Sequence, residues 1–254
     1  MKQLIVITRP AHQASALVQG IKAAGGDVCL FPTLEIKPTT LSQKEQESIQ
    51  QINHYDIIIF ISPNAVEYGL SHIQASGPFP QDVLIATIGQ GSAKSLNNKL
   101  GQQADIVPEK NFNSEGLLAT PPLQDVKNKR ILIIRGNGGR EHLKDTLQQR
   151  GALVDYINVY QRIKPATAST EIEQHLQNNQ IAAIVITSAT SLKNLLEMVP
   201  EKARLLLLNV PLILINQRLV EVAKKAGFSS ALFITNEASD KAIIETLKQN
   251  NLLS

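Results

Sequence analysis

Cysteine, tryptophan, long apolar runs and an excess of either charge are what this sequence lacks, and each absence removes a class of protein. Cys29 is the only cysteine in 254 residues, so neither an internal disulfide nor a cysteine-rich metal framework is open to the chain. It lies in the apolar stretch Val28-Cys29-Leu30-Phe31, where a thiol is read as buried core and not as a nucleophile. The five histidines, His12, His54, His72, His142 and His175, show no ligand spacing, and no metal site is expected. Tryptophan is absent and aromatic residues make up 4% of the chain, which suits aliphatic strands covered by helices on both faces. No apolar run reaches the roughly 20 residues that span a bilayer. Residues 205–215 come nearest and are interrupted by Asn209 and Pro211. The run Leu4-Ile5-Val6-Ile7 before Thr8-Arg9-Pro10 is too short for a signal-peptide core, so a cytoplasmic protein with no membrane partner is expected. The formal net charge is +3, with Lys and Arg interspersed among Asp and Glu, which argues against a nucleic-acid partner.

What is present is an internal repeat. Arg9 follows Leu4-Ile5-Val6-Ile7 and Arg135 follows Ile131-Leu132-Ile133-Ile134, a separation of 126 (135 − 9). Gly25 and Gly151, Val28 and Val154, Ser62 and Ser188, and Gly101 and Gly227 keep the same offset. Solenoid units run from roughly 20 to 50 residues, so this period marks a duplicated domain. Each copy carries five short aliphatic runs, at 4–8, 27–31, 57–62, 84–89 and 105–108, then 131–135, 154–160, 183–188, 212–216 and 231–235. Helical patterns separate them, which predicts an α/β fold of two parallel five-stranded sheets with right-handed crossovers. The segment Ile36-Lys37-Pro38 recurs as Ile163-Lys164-Pro165 at an offset of 127 (163 − 36), and the two are read as paired linkers. Two facing lobes with a cleft between them are expected, and the residues leave open whether the copies exchange their first two strands.

Ligands of doubly wound sheets bind at strand carboxyl ends, which fixes the loops to inspect. These are Thr8-Arg9-Pro10, Ser62-Pro63-Asn64, Gly89-Gln90-Gly91-Ser92, the run Arg135-Gly136-Asn137-Gly138-Gly139-Arg140, Thr187-Ser188-Ala189-Thr190 and Asn216-Gln217-Arg218. They hold hydroxyls, amides, glycine and arginine and no Asp, Cys or His, an inventory for holding anions. The glycine-rich run lacks the Gly-Lys-Ser/Thr ending of a nucleotide loop and fails the dinucleotide pattern at Glu141. It reads either as an anion cradle or as a tight packing turn. Ser62, Ser92 and Ser188 read as helix caps or ligand hydroxyls, and Arg9 and Arg135 as structural ties or ligand clamps. Tyr160 has Leu34 as its repeat counterpart, so the shared fold does not require its hydroxyl. With a reference pKa of about 10, a tyrosine is a proton donor near neutrality.

In order and spacing, Ile7-Thr8-Arg9-Pro10, Phe60-Ile61-Ser62-Pro63-Asn64-Ala65-Val66, Ile88-Gly89 with Ser92-Ala93, Ser114-Glu115-Gly116-Leu117-Leu118, Ile134 to Glu141, Val159-Tyr160-Gln161-Arg162 and Thr187-Ser188 resemble the uroporphyrinogen-III synthase (HemD-like) family. The likeness covers essentially the whole chain. It implies two flavodoxin-like three-layer domains, strand-swapped and joined by a two-segment hinge, one made of residues 1–36 with 164–254 and the other of 37–163. It implies a monomeric, cofactor-independent lyase whose partner is its small-molecule substrate hydroxymethylbilane, a linear tetrapyrrole with eight carboxylates. The family's reaction expels the terminal hydroxyl as water, closes the macrocycle through a spiro intermediate and inverts the last pyrrole ring. Ring closure without inversion is the easy uncatalysed course, so holding a flexible chain is the enzyme's main task. The family's catalytic tyrosine corresponds to Tyr160. The hydroxyl of its Gly-x-x-Thr-Ala loop corresponds to Ser92. Where some members carry Thr this chain has Asn216-Gln217-Arg218, so Arg218 is expected to bind carboxylate. Arg9, Ser62, Asn64, Ser92, Ser114, Arg135, Asn137, Gly138, Gly139, Arg140, Ser188 and Arg218 are the expected substrate-binding residues. The rival reading is a two-lobed cytoplasmic regulator that binds a sugar phosphate or another anion.

These readings are separable by one measurement. The purified chain is expected to convert hydroxymethylbilane to the inverted, type III isomer after exhaustive chelation and desalting. Turnover restored only by an added metal or nucleotide would remove the expectation.

Overall fold

The short aliphatic runs become strands, and the central ones are buried on both faces. The computed structural model describes residues 3–138 and 141–253. Its strands are β1 (Leu4–Ile7), β2 (Asp27–Leu30), β3 (Glu35–Pro38), β4 (Ile57–Phe60), β5 (Leu84–Thr87), β6 (Arg130–Gly136), β7 (Leu153–Ile163), β8 (Ile181–Ile186), β9 (Leu212–Leu214) and β10 (Leu232–Ile234). Its helices are α1 (Ala11–Ala23), α2 (Gln43–Gln50), α3 (Pro63–Ser76), α4 (Gln90–Leu100), α5 (Ser114–Leu118), α6 (His142–Gln149), α7 (Thr170–Gln177), α8 (Ala189–Met198), α9 (Glu201–Leu208), α10 (Gln217–Lys225) and α11 (Asp240–Gln249). None is long and apolar enough to cross a membrane among the described residues.

Two five-stranded sheets result, in the orders β10-β9-β8-β1-β2 and β3-β7-β6-β4-β5. The pairs β1–β2, β1–β8, β8–β9, β9–β10, β4–β5, β4–β6 and β6–β7 are parallel. The chain accordingly divides into one compact unit of residues 1–35 with 163–254 and a second of residues 36–162. The first sheet joins the two ends of the chain, so the first two strands of one copy complete the sheet of the other. Its strand order is the flavodoxin-like one, in which the direction of winding reverses between β1 and β8. In the second sheet the same reversal falls between β4 and β6.

Alternation places the cores. In the first unit Val6, Ile184 and Ile186 face one core while Ile5, Ile7, Ala183 and Val185 face the other. In the second, Ile57, Ile59, Ile131 and Ile133 face a core that includes Leu143 and Leu147 of α6. On the opposite face Gly69 lets α3 approach Ile134 and Phe60 so closely that a Cβ would stand 2.7 Å from an Ile134 methyl. Each such aliphatic side chain contributes roughly 1.5–3 kcal/mol on burial. Cys29 belongs to the first unit's core with Val6 and Ile184, at 5% exposure. Burial and then the charge of Glu171 push its thiol up to about 11, which keeps the free thiol protonated near neutrality.

One expectation from the sequence is corrected here. Residues 105–108 do not form a strand: a single parallel bridge, Ala86 to Ile106, is all they add, and Pro108 has no N–H to extend it. The fifth strand of that sheet is instead β3, which contains Ile36-Lys37-Pro38, the segment read as a linker. Pro38 is tolerated because β3 is the edge strand and Pro38 its last residue. Likewise Ile163 ends the long strand β7, and both extended segments lie where the chain divides into its two compact units.

Glu45 ties α2 to β7. It completes a capping box with Ser42 and accepts from the backbone and side-chain amides of Asn158 at 2.8 and 3.1 Å. Partial burial raises the carboxyl's pKa, but the hydrogen bonds from Asn158 and Ser42 together outweigh it and hold Glu45 below its ordinary value. A carboxyl depressed by folding stabilises the fold above its unfolded pKa and loses that contribution as pH falls through the folded value. Stability measured by denaturant titration is therefore expected to decline as pH falls below about 4.3, and Glu45→Gln is expected to flatten part of that decline. An unchanged pH profile in the variant would dissociate Glu45 from it.

Candidate active site

Tyr160 is the residue around which the second unit's site is built. Tyr160 of β7 lies opposite Gly136, the last residue of β6, and its side chain is 2% exposed. Its hydroxyl lies 3.0 Å from Ser62 Oγ at the end of β4, and Arg162 Nη2 donates to it at 3.3 Å. The Arg162 guanidinium stands 5.6 Å from the ring centroid, and Tyr68 of α3 packs against the ring at 6.1 Å. Across β6, Gly136 leaves room for the phenol, since a Cβ there would meet ring atoms Cε2 and Cζ at 2.5 Å. The Asn137 N–H donates to the Tyr160 carbonyl at 2.8 Å, which seats the glycine-rich loop on β7.

Counting protons in this trio shows what it can do. Ser62 caps α3, accepting from the Ala65 N–H at 3.1 Å, and Arg162 only donates. Whichever hydroxyl donates across the 3.0 Å contact, one hydroxyl proton of the pair is left over. Ser62 is half-buried and Tyr160 buried, so Ser62 is the member that solvent or a ligand reaches.

Arg135, expected as a carboxylate clamp, is committed to its own loop. It is 4% exposed, donates to the Gly136 carbonyl at 3.3 Å, to the Gly138 carbonyl and to Glu141 at 3.1 Å, and lies 4.6 Å over the Tyr156 ring. Buried, with three of its five N–H groups bonded within the loop, the guanidinium shapes the loop. Asn137 and Gly138 are exposed, and Gly138 has a φ of 75° that glycine adopts without strain. Gly139 and Arg140 lie outside the described residues.

The other expected residues separate by role. Gly89 occupies the N-cap of α4, so Ser92 sits inside the first turn, 4% exposed, and is not a cap. Asn113 caps α5 and Ser114 is its first residue. Asn64 is in the first turn of α3. In the first unit Ser188 caps α8, accepting from the Ser191 N–H at 3.0 Å. Arg9 forms an ion pair with Asp240 at the start of α11. Arg218 stands exposed in the first turn of α10, with no partner among the described residues. Beneath these loops a closed polar network holds the first unit's reversal: Thr8 to the Val185 carbonyl at 2.7 Å, Thr33 to Ser191 at 2.9 Å and Asn194 to the Thr33 carbonyl at 2.7 Å. Two cavities of about 600 and 460 Å³ open beside α5 and beside α2, and no expected site residue lines either.

Arg162 is the participant that the sequence reading left out. Residues two apart on a strand share a face, so the pattern Tyr160-Gln161-Arg162 could have placed it beside the hydroxyl.

The structure is a duplicated, strand-exchanged α/β fold, a class whose ligands enter at the carboxyl ends of strands beside the winding reversal. Residues 15–245 match the family described as Uroporphyrinogen-III synthase HemD, and the chain belongs to that family of tetrapyrrole-synthesis enzymes. It is 29% identical over 246 residues to uroporphyrinogen-III synthase of Escherichia coli, covering 96% of this chain and 99% of the relative. It is 35% identical over 180 residues to that of Proteus mirabilis, covering 70% of this chain and 89% of the relative. A crystal structure of uroporphyrinogen III synthase from Thermus thermophilus, a triple mutant, shares the fold with a TM-score of 0.64 at 14% identity, covering 97% of this chain and 98% of that one. The Helicobacter pylori uroporphyrinogen-III synthetase structure does so with a TM-score of 0.62 at 16% identity, covering 98% of this chain and 100% of that one.

The clearance at Gly136 is testable. Gly136→Ala drives a methyl into the Tyr160 ring, and overpacking of this kind costs about 1–3 kcal/mol. Denaturant unfolding is expected to register that loss, and a wild-type midpoint would show that the ring slides aside freely.

Proposed function

We propose that this chain is a lyase that converts hydroxymethylbilane to uroporphyrinogen III with loss of water, and that Tyr160 supplies the proton. The observation that carries the reading is the Tyr160 hydroxyl held between Ser62 and Arg162 at the winding reversal of its sheet. The substrate's pyrrole nitrogen pushes its electron pair toward the terminal carbon, and the carbon–oxygen bond breaks. Tyr160 is buried and Ser62 accessible, so the proton passes from Ser62 to the departing hydroxyl and is replaced from Tyr160, giving water. Arg162 stabilises the phenolate until ring closure releases a proton from the last pyrrole and restores the phenol. No metal, nucleotide or redox cofactor enters this balance.

Positioning carries most of the burden, because the leaving group needs little help. The exposed amides at Asn137 and Gly138, the hydroxyls of Ser92, Ser114 and Ser188, and Asn64 are proposed to hold the substrate's carboxylates and pyrroles. Arg218 is the proposed carboxylate clamp, since it stands exposed and unpartnered among the described residues. Arg140 is retained in that role from the family resemblance. Arg9 and Arg135 act by shaping the loops. We place the protein in the cytoplasm as a monomer.

Tyr160→Phe keeps the ring and its packing and removes only the hydroxyl. A fall in kcat of about 100-fold is expected, at the low end of the range for general-acid help. Released substrate then closes unaided, so the product is expected to shift toward the uninverted isomer. Wild-type kcat with pure type III product would show that the hydroxyl is dispensable.

A further inference from the structure

Fold formation gathers three metal-ligating side chains that the sequence keeps far apart. Cys29 on β2 and Glu171 and His175 on α7 present one sulfur, one carboxylate oxygen and one ring nitrogen, all within 4.8 Å of one another. Glu171 and His175 are four residues apart on one helix face, with His175 Nε2 3.7 Å from Glu171 Oε1. Zinc bonds of about 2.0–2.3 Å in a tetrahedral arrangement put neighbouring ligand atoms roughly 3.3–3.6 Å apart. The cluster is therefore at most about 1.2–1.5 Å wider than a filled site, a gap that rotation of the two helical side chains can close.

Two further observations point to a ligand. The Cys29 thiol is 5% exposed, faces the other two groups and has no hydrogen-bond partner among the described residues. His175 Nδ1 lies 2.9 Å from Gln180 Oε1, and a carbonyl oxygen only accepts, so Nδ1 carries the proton and Nε2 is left with its lone pair. Fixing the tautomer through the far nitrogen is how proteins orient a metal-binding histidine. Gln180 is itself anchored, its N–H to the His175 carbonyl at 2.9 Å and its carbonyl to the Leu4 N–H at 2.7 Å.

We propose that Cys29, Glu171 and His175 bind one zinc ion. A thiolate with an imidazole and a carboxylate selects a borderline-soft divalent transition metal over magnesium or calcium. On binding, the S–H bond breaks, its proton passes to solvent, and the freed sulfur pair forms the zinc–sulfur bond, with nothing oxidised or reduced. The fourth position is left to water, on the side where Glu171 is exposed. The ion cross-links β2, from the start of the chain, to α7, from its second half, and so staples the exchanged strands in place. The site lies in the compact unit that does not contain Tyr160, and the chemistry proposed above does not use it.

Cobalt titrated into the full-length chain is the direct probe. One equivalent is expected to produce the near-ultraviolet thiolate-to-cobalt charge-transfer band, and one equivalent of zinc to bleach it. Zinc affinity by chelator competition is expected to fall at least about tenfold in Cys29→Ser and in His175→Gln, and zinc is expected to raise the thermal midpoint of the wild type only. Absence of the band, or undiminished zinc affinity in both variants, would overturn the proposal. Should Cys29→Ser fail to fold, the partly exposed His175→Gln, read against the cobalt band of the wild type, decides it.

Discussion

The parallel pairing of β1 with β8 brings together residues such as Thr8 and Val185, 177 positions apart, and the remainder of the first unit is assembled on it. Closing a loop of that length costs only about 2 kcal/mol more than closing one of twenty residues, because the entropy grows with the logarithm of length. Strand burial offsets this readily: Ile5, Val6 and Ile7 are fully buried and divided between two cores. The pairing of β4 with β6 has the same place in the second unit. Both are long-range contacts, which predisposes the chain to slow folding.

The same pairings position the chemistry. Where winding reverses, neighbouring strands send their following helices to opposite faces, and the loops between them separate to leave backbone amides and side chains accessible. Ser62 follows β4 and Gly136 ends β6 at one such place, and Thr8 and Ser188 stand at the other. Polar groups under the first unit's loops are satisfied internally, as in the set formed by Thr8, Thr33, Ser191 and Asn194. Their satisfaction makes the floor rigid and leaves specificity to the exposed groups above it.

Arginine illustrates how the environment divides one residue type into different tasks. Arg135 is buried and bonded to its own loop, Arg9 is tied to Asp240, Arg162 donates to the Tyr160 hydroxyl, and Arg218 is exposed in the first turn of α10. Sequence position at a strand end is common to all but Arg218. Burial and partner availability separate them, and both depend on where other elements lie.

The sequence by itself determined the duplicated α/β class, the strand runs around residues 4–7, 57–60, 131–136 and 181–186, and the loops that follow them. Periodicity and turn residues are local, so they are readable along the chain. The third dimension decided that residues 35–38 form an edge strand while residues 105–108 add a single bridge, because a strand exists only by virtue of its partner. It decided that Arg135 serves its loop and that Arg162 meets the Tyr160 hydroxyl, although alternation along β7 held a trace of the latter. It also gathered Cys29, Glu171 and His175, whose spacing along the chain carries no ligand pattern. Local propensity is written in neighbouring residues, whereas hydrogen-bond partners and burial are properties of atoms that only folding brings within a few ångströms of each other.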